Sequence, residues 1–385
     1  MPTSTVMSSA STEPRSVLVS GASFAGLATA FWLNRLGYLV TMVEVAPGLR
    51  RGGTPVDIEG ETIAVLERMG LMEAVRARTL PPRRFAFKDA KNATLGDMAH
   101  HPNDEAGPRY EIHRDDLLDV LCGAIEGDVE LRFNRSIVAI EERPEAVSAT
   151  FSDGSRHEFA LICGCDGNRS NTRRLVFGDG EQFTHFMGGY FYLKVVPDTG
   201  LLPPNSSEVF AVPGRMAMLN GYDDRTDIGF GFRTAGEIEY DYRNKDQQRR
   251  LIREHFSGLE WKVPDMLAHM DEDNEFYFDR ISQIRMPTWS HGRITLVGDA
   301  GYCVSPFAGL GGSMAIIGAG RLADALARHP DNHAAAFHAY EEGLRPFVEQ
   351  VQERAAIDSV QMLVPGDEAE MAERDRKLAI GDIGV

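Results

Sequence analysis

A strand that runs straight into a glycine turn and then a helix constrains this chain more than any other feature. Ser16-Val-Leu-Val-Ser20 is a short β-branched run of the kind buried in parallel sheets. Gly21-Ala-Ser-Phe-Ala-Gly26 follows, and then a segment in which Leu27, Ala30, Phe31 and Leu33 recur at helical spacing. Glycines between a strand and a helix are the fingerprint of a dinucleotide site. Gly21 permits the tight turn, and Gly26 lets the helix lie close on the sheet. The helix N-terminus then offers unpaired N–H groups to a pyrophosphate. Ser23 replaces the usual middle glycine, with Ala25 two positions on. A second strand, Leu39-Val-Thr-Met-Val-Glu44, ends in an acid 23 positions after Gly21, followed by Val45. A carboxylate at that spacing accepts ribose hydroxyls and favours FAD or NAD over a 2′-phosphorylated cofactor.

Two later segments repeat the strand-to-loop pattern. Ala160-Leu-Ile-Cys-Gly-Cys-Asp166 runs into Gly167, with Ser170 and Arg173 behind it. Arg293-Ile-Thr-Leu-Val-Gly298-Asp299 runs into a glycine-rich turn holding Pro306, Gly309, Gly311, Gly312 and Ser313, and then a helical run to Leu326. In open α/β folds ligands bind where strands end, so three such ends spread over the chain predict one shared site. Cys163 and Cys165 alternate onto one strand face and read as buried small residues, since no partner cluster completes a zinc set.

Composition narrows the classes. The 385 residues fit two or three domains, and 57 acidic against 40 basic residues give a net charge of −17. That surface repels phosphate backbones and anionic lipid, which argues against nucleic-acid and membrane partners. Four cysteines are too few for a disulfide scaffold and fit a reducing, cytoplasmic setting. Residues 1–15, rich in Ser and Thr, read as a disordered tail, and no apolar stretch reaches membrane-spanning length.

Gly21-x-Ser-x-x-Gly26, Asp166-Gly167-x-x-Ser170-x-x-Arg173, and Gly298-Asp299 with Pro306 and Gly309-x-Gly311 together resemble the group A FAD-dependent monooxygenases. These are the p-hydroxybenzoate-hydroxylase-like enzymes, and the chain is most similar to their polyketide- and tetracycline-acting branch. Arg50-Arg51-Gly52-Gly53-Thr-Pro-Val-Asp57-Ile and Ile112-His-Arg114-Asp-Asp-Leu117 match segments that line FAD in that branch. The likeness covers residues 16 to 350. It implies that Glu44 binds the adenosine ribose, that Arg114 reaches the ribityl-pyrophosphate region, and that Asp299 holds the phosphate-ribityl stretch. It also implies that Pro306 to Gly312 lie along the isoalloxazine, and that the Asp166-Gly167 segment serves both FAD and nicotinamide. Arg51, Gly52 and Ser313 join this cofactor set. Where the family often reads Gly-Asp-Ala-Ala-His, this chain has Gly301 and Tyr302 in the last two places. Where the family often has Gln and Asn beside the flavin, it has Leu310 and Ser313.

The resulting fold class is α/β, with a Rossmann-like FAD-binding domain, a second and mostly antiparallel β-sheet substrate domain, and a C-terminal helix. The expected division gives 16–80, 109–182 and 280–333 to the FAD-binding domain, 81–108 and 183–279 to the substrate domain, and 334–385 to a C-terminal helical segment. Period-two runs at Met187–Val195, Glu208–Val212, Arg215–Asn220 and Asp227–Arg233 predict the second sheet. Met187, Phe191, Met218, Phe230, Phe232, Arg233 and Phe307 are its candidate substrate contacts. An apolar, aromatic wall of this kind suits a flat polycyclic ligand, and Arg233 could pair with an acidic or enolic oxygen or simply with a surface acid.

No nucleophile–base pair or metal-spaced histidine group appears, in keeping with chemistry carried by a cofactor. The resemblance implies reduction of FAD by transiently bound NADPH or NADH, addition of O2 at flavin C4a, and attack of the hydroperoxide on an electron-rich carbon. Antibiotic biosynthesis or inactivation is the expected setting. Two other readings stand beside it: an FAD-dependent reductase or dehydrogenase on the same fold without oxygen insertion, and a flavin-binding protein that only sequesters an aromatic compound. The C-terminal helix is expected either to cover the substrate cavity or to buttress the FAD domain.

Overall fold

The first sheet explains why the glycine turns matter. The computed structural model of the chain describes residues 15–99, 107–271, 275–355 and 360–380. Six strands lie in the order 290–291, 294–296, 161–164, 16–20, 39–43 and 130–132. All neighbours are parallel except the terminal 290–291/294–296 pair. The run Ser16–Ser20 is central, and the chain leaves it first towards Leu39–Val43 on one side and later towards Leu161–Gly164 on the other. That reversal is a topological switch point, and the carboxyl ends of the five parallel strands open on the same edge. Val17 and Val19, both fully buried, hold the sheet against Leu27, Phe31 and Leu33 of the first helix, Phe24–Arg35.

The second sheet has seven strands in the order 277–284, 184–197, 225–233, 215–221, 206–212, 84–88 and 94–99. It is antiparallel apart from the 206–212/84–88 pair. Because side chains alternate along a strand, its two faces build two separate cores. One face carries Tyr190, Tyr192, Phe210, Phe230 and Phe232, covered by the helices Lys245–Phe256 and Val263–Ala268. The other carries Phe191, Leu193, Val209, Met216 and Ile281, joined by Phe307 from the glycine-rich loop and by Val360, Val364 and Leu378 from the end of the chain. A small antiparallel sheet, 137–142, 147–151 and 156–159, and a 56–59/109–112 ribbon complete the strands described.

The C-terminal region does two jobs. The helix His333–Arg354 places Ala336, Phe337, Tyr340, Leu344, Val348 and Val351 in the core of the first sheet. The segment 360–380 instead lies on the apolar face of the second. Residues 1–14 of the expected tail, Ile357 and the last five residues lie outside the described residues. Arg15, at the expected end of the tail, donates to the Pro330 carbonyl and to Asp331, each at 2.6 Å. No described helix is long and apolar enough to cross a membrane. Among the described residues no group of three or more His, Cys, Asp or Glu could hold a metal ion.

Candidate cofactor site and the apolar face beside it

The three glycine turns meet. Gly21 has φ +106°, and a Cβ there would run into the carbonyl of Cys165 and reach Asp166 Cα at 3.0 Å. A Cβ on Gly26 would strike the Gly21 carbonyl, so the first helix lies directly on its own turn. Gly298, at φ +67°, would place a Cβ 3.0 Å from Ala25 and 3.5 Å from Ala315. Gly312 would place one 2.7 Å from Val56 and 3.3 Å from Phe24. Residues 21–26, 165–166, 298 and 312–315 are therefore immediate neighbours, held together by the absence of side chains.

Two helices begin at this meeting point without caps. Ser23 precedes Phe24–Arg35 but makes no capping bond, and its hydroxyl accepts Nη2 of Arg114 at 3.2 Å. Leu310 precedes Gly311–Arg328 and cannot cap, and neither first turn holds an acid. Uncapped N–H groups with the positive end of the helix dipole behind them form an anion site. Arg114 adds a fixed cation: Nη1 donates to the carbonyls of Arg50 at 2.6 Å and Gly52 at 3.3 Å, and the group lies 5.3 Å over the Phe24 ring. Burial, with Arg50 and Arg51 nearby, lowers its pKa.

Glu44 Oε2 accepts the Ala22 N–H at 2.8 Å and Oε1 accepts that of Ala46 at 2.9 Å. The carboxylate thus stands at the mouth of the turn, next to Val45, which is 71% exposed on the rim. Asp299 opens the short helix after Gly298. Desolvation pushes its pKa up to about 6, against the pull of the Cys303 thiol and the Arg173 cation. Gly309 has φ +69° and follows the short 3-10 turn Pro306–Ala308. Ser305 before it is strained for a non-glycine, at φ +96° and ψ 143°.

Several expected cofactor ligands support the loops with their side chains. Asp166 accepts from Ser170 Oγ at 2.5 Å and from the N–H and hydroxyl of Thr172, both at 2.8 Å, securing the start of the helix Asn171–Phe177. Gly167 takes the left-handed turn there, at φ +79°. Arg173, 3% exposed, clamps two loops by donating to Ala300 O at 2.7 Å and Asn168 O at 2.6 Å. Ser313 Oγ donates to Asp57 O at 2.8 Å. Gly52 N donates to Asp115 at 2.9 Å. Arg51 requires correction: it turns outward to Asp119 at 2.6 Å, away from the turn.

The substrate set splits by strand parity. Met187, Phe191, Met218 and Phe307 share the apolar face beside the glycine-rich loop, with the Phe191 and Phe307 rings 5.4 Å apart. Phe230 and Phe232 do not. They are fully buried on the opposite face, where Phe230 meets Phe256 at 4.6 Å and Phe232 meets His255 at 3.8 Å. Arg233 is occupied by Glu370 at 2.9 Å. Tyr277, which the sequence reading passed over, lies on the apolar face 6.5 Å from Phe191 with Arg50 6.0 Å over its ring. The strict alternation Phe276, Phe278 in against Tyr277 out was the available signal.

Residues 15–355 match the family described as FAD binding domain. The chain belongs to that family, among the flavin-dependent monooxygenases. It is 32% identical over 358 residues to a flavin-dependent monooxygenase of Legionella longbeachae, covering 90% of each chain. It is 33% identical over 365 residues to the FAD-dependent monooxygenase asL6 of Sarocladium schorii, covering 88% of this chain and 86% of the relative. The crystal structure of the tetracycline destructase Tet(51) superposes with a TM-score of 0.83 at 31% identity, over 97% of this chain and 99% of that one. This monooxygenase fold therefore has FAD as its cofactor, and the site fits it: an acid at the second strand end, two uncapped helix N-termini and a glycine cradle.

Proposed function

We propose that this flavoprotein oxygenates an aromatic or polyketide-type small molecule, using O2 and a transiently bound NADPH or NADH, in antibiotic biosynthesis or inactivation. The observation that carries the proposal is the adjacency of the glycine cradle to an apolar sheet face, joined through Phe307 and Phe191. The similarity to a tetracycline destructase supports a polycyclic substrate. The −17 charge and four free cysteines suit a reducing cytoplasm.

In this reading Glu44 holds the adenosine ribose, and the N–H groups after Ser23, with Arg114, hold the pyrophosphate. Asp299 holds the ribityl stretch, and the backbone from Pro306 to Gly312 lines the ring. The chemistry FAD supplies when bound is two-electron uptake from the reduced dinucleotide and activation of O2 for transfer to an electron-rich carbon. Met187, Phe191, Met218 and Phe307 orient the substrate ring and exclude water from it. Val360, Val364 and Leu378 of the 360–380 segment pack on that same face. The carboxyl of Asp299, raised towards neutrality, can hold a proton at the edge of the cofactor.

One observation favours the rival reading, an FAD-dependent reductase or dehydrogenase. Leu310 has no polar group, and the Ser313 hydroxyl is committed to Asp57 O, so no side-chain amide faces the loop at these two positions. The deciding experiment follows NADPH oxidation with a substrate panel under labelled O2. Mass gain of one labelled oxygen per O2 consumed supports oxygenation. Substrate turnover under strict anaerobiosis sinks it in favour of the reductase, and binding without faster NADPH oxidation would leave a sequestering protein.

A further inference from the structure

We propose that Arg50 recognises an ionised oxygen on the ligand that enters between the glycine-rich loop and the apolar sheet face, an enolate, phenolate or carboxylate on a flat ring. This inference rests on the reading that the apolar face receives the substrate.

The backbone around Arg50 is fixed while its side chain is free. Its carbonyl accepts Arg114 Nη1 at 2.6 Å, and two residues on the Gly52 N–H donates to Asp115 at 2.9 Å. The Arg50 side chain is exposed and has no carboxylate partner among the described residues. Its guanidinium lies 6.0 Å over Tyr277. Tyr277 is one ring from Phe191, and Phe191 is one ring from Phe307, which follows Pro306. The cation therefore stands at the open end of an aromatic row that begins at the cofactor loop.

Neighbouring arginines are committed elsewhere. Arg233 pairs with Glu370, Arg374 with Asp375, Arg51 with Asp119, and Arg114 with two carbonyls and Ser23. Arg215 donates to the carbonyl of His255. Tyr277 adds a phenol O–H, whose pKa burial and the nearby Asp279 carboxylate raise further. A planar cation beside a phenol and two apolar rings matches an aromatic anion, through a charge-assisted hydrogen bond and stacking.

An anionic oxygen could also come from the phosphate of the reduced dinucleotide, and Lys245, whose pKa Arg50 helps to lower, lies within electrostatic range. The test separates the two sources. The FAD-loaded full chain and its Arg50→Gln and Arg50→Lys variants are titrated with benzoate and with benzamide, matched in shape but not in charge, by the flavin difference spectrum. NADP+ binding is measured in parallel by calorimetry. The expected result is benzoate tighter than benzamide by about tenfold, the scale of one charge-assisted hydrogen bond. That ratio should fall to near one in Arg50→Gln and partly return in Arg50→Lys, with NADP+ affinity unmoved. A ratio near one in the unaltered protein, or no spectral response to either probe, overturns the proposal. So does a ratio that survives Arg50→Gln, or NADP+ weakened while benzoate is not, which assigns the cation to the reductant. The titration reads binding alone, so it stands or falls separately from oxygen transfer.

Discussion

Arg233 Nη1 lies 2.9 Å from Glu370 Oε2, and this pair joins the second sheet to the last helix of the chain. Beside it the Gly214 N–H donates to Pro365 O at 2.7 Å, and the Gly366 N–H donates to the same Glu370 carboxylate at 2.6 Å. Each partner is about one-third exposed, so the ion pair itself contributes under about 1 kcal/mol. Glu370→Ala should therefore raise amide exchange across 360–380 while leaving the melting temperature nearly unchanged. Unaltered exchange in that segment would show that apolar contacts alone hold it.

Strand parity yields a contrast between two phenylalanines. Phe232→Ala empties a fully buried site and should destabilise the protein by about 3–5 kcal/mol, with little effect on substrate KM in the fraction that folds. Phe191→Ala should raise KM for the accepted substrate. Denaturant titration and steady-state kinetics check both, and a larger KM effect for Phe232→Ala would reverse the assignment of faces.

Gly21→Ala introduces a methyl group against the Cys165 carbonyl at φ +106°. The strain is on the order of 1–3 kcal/mol at the turn itself. The protein should purify colourless or with sharply reduced flavin absorbance. A fully yellow Gly21→Ala preparation contradicts the cradle. Glu44→Ala should also lose FAD, since it removes the carboxylate at the mouth of the turn.

Asp299 gives a pH signature in the ligand-free protein. Its folded pKa, about 6, lies above the unfolded value of 3.8, so between these limits the folded chain holds more protons. Stability must then fall as pH rises through that window. Asp299→Asn removes the ionisation. Its melting temperature relative to the unaltered protein should therefore climb from pH 4 to pH 7, measured without FAD. A constant difference across that range would show that Asp299 is not desolvated.

Much of the first sheet was legible because its signals are local. A β-branched run, a glycine at positive φ and a helix repeat follow one another within about one βαβ unit, which is why Gly21, Gly26 and Glu44 stand out together, and the same local pattern repeats at Gly298. The side-chain assignments were less legible. Arg51 and Arg114 both flank the same turn, and only the packing of Asp119 decides that Arg51 points away. Phe230 and Phe232 read as one face of a strand, correctly, but alternation cannot say which face meets the cofactor. That choice belongs to the helix Lys245–Phe256 and to the 360–380 segment, much later in the chain. Tyr277 and Arg50 meet across 227 positions, a separation no short-range pattern reports.

The Tyr302 and Tyr340 hydroxyls are 2.8 Å apart, and Tyr340 donates onward to Leu296 O at 3.1 Å. Tyr302 stands three residues after Asp299, and Tyr340 belongs to the helix His333–Arg354 in the core of the first sheet. Every loop residue proposed to touch the cofactor precedes this helix in the chain. A nascent chain therefore carries the full list of ligands without the brace that sets their spacing. A fragment ending near residue 330 should consequently retain little flavin absorbance, and regain it when the missing helix is supplied as a peptide.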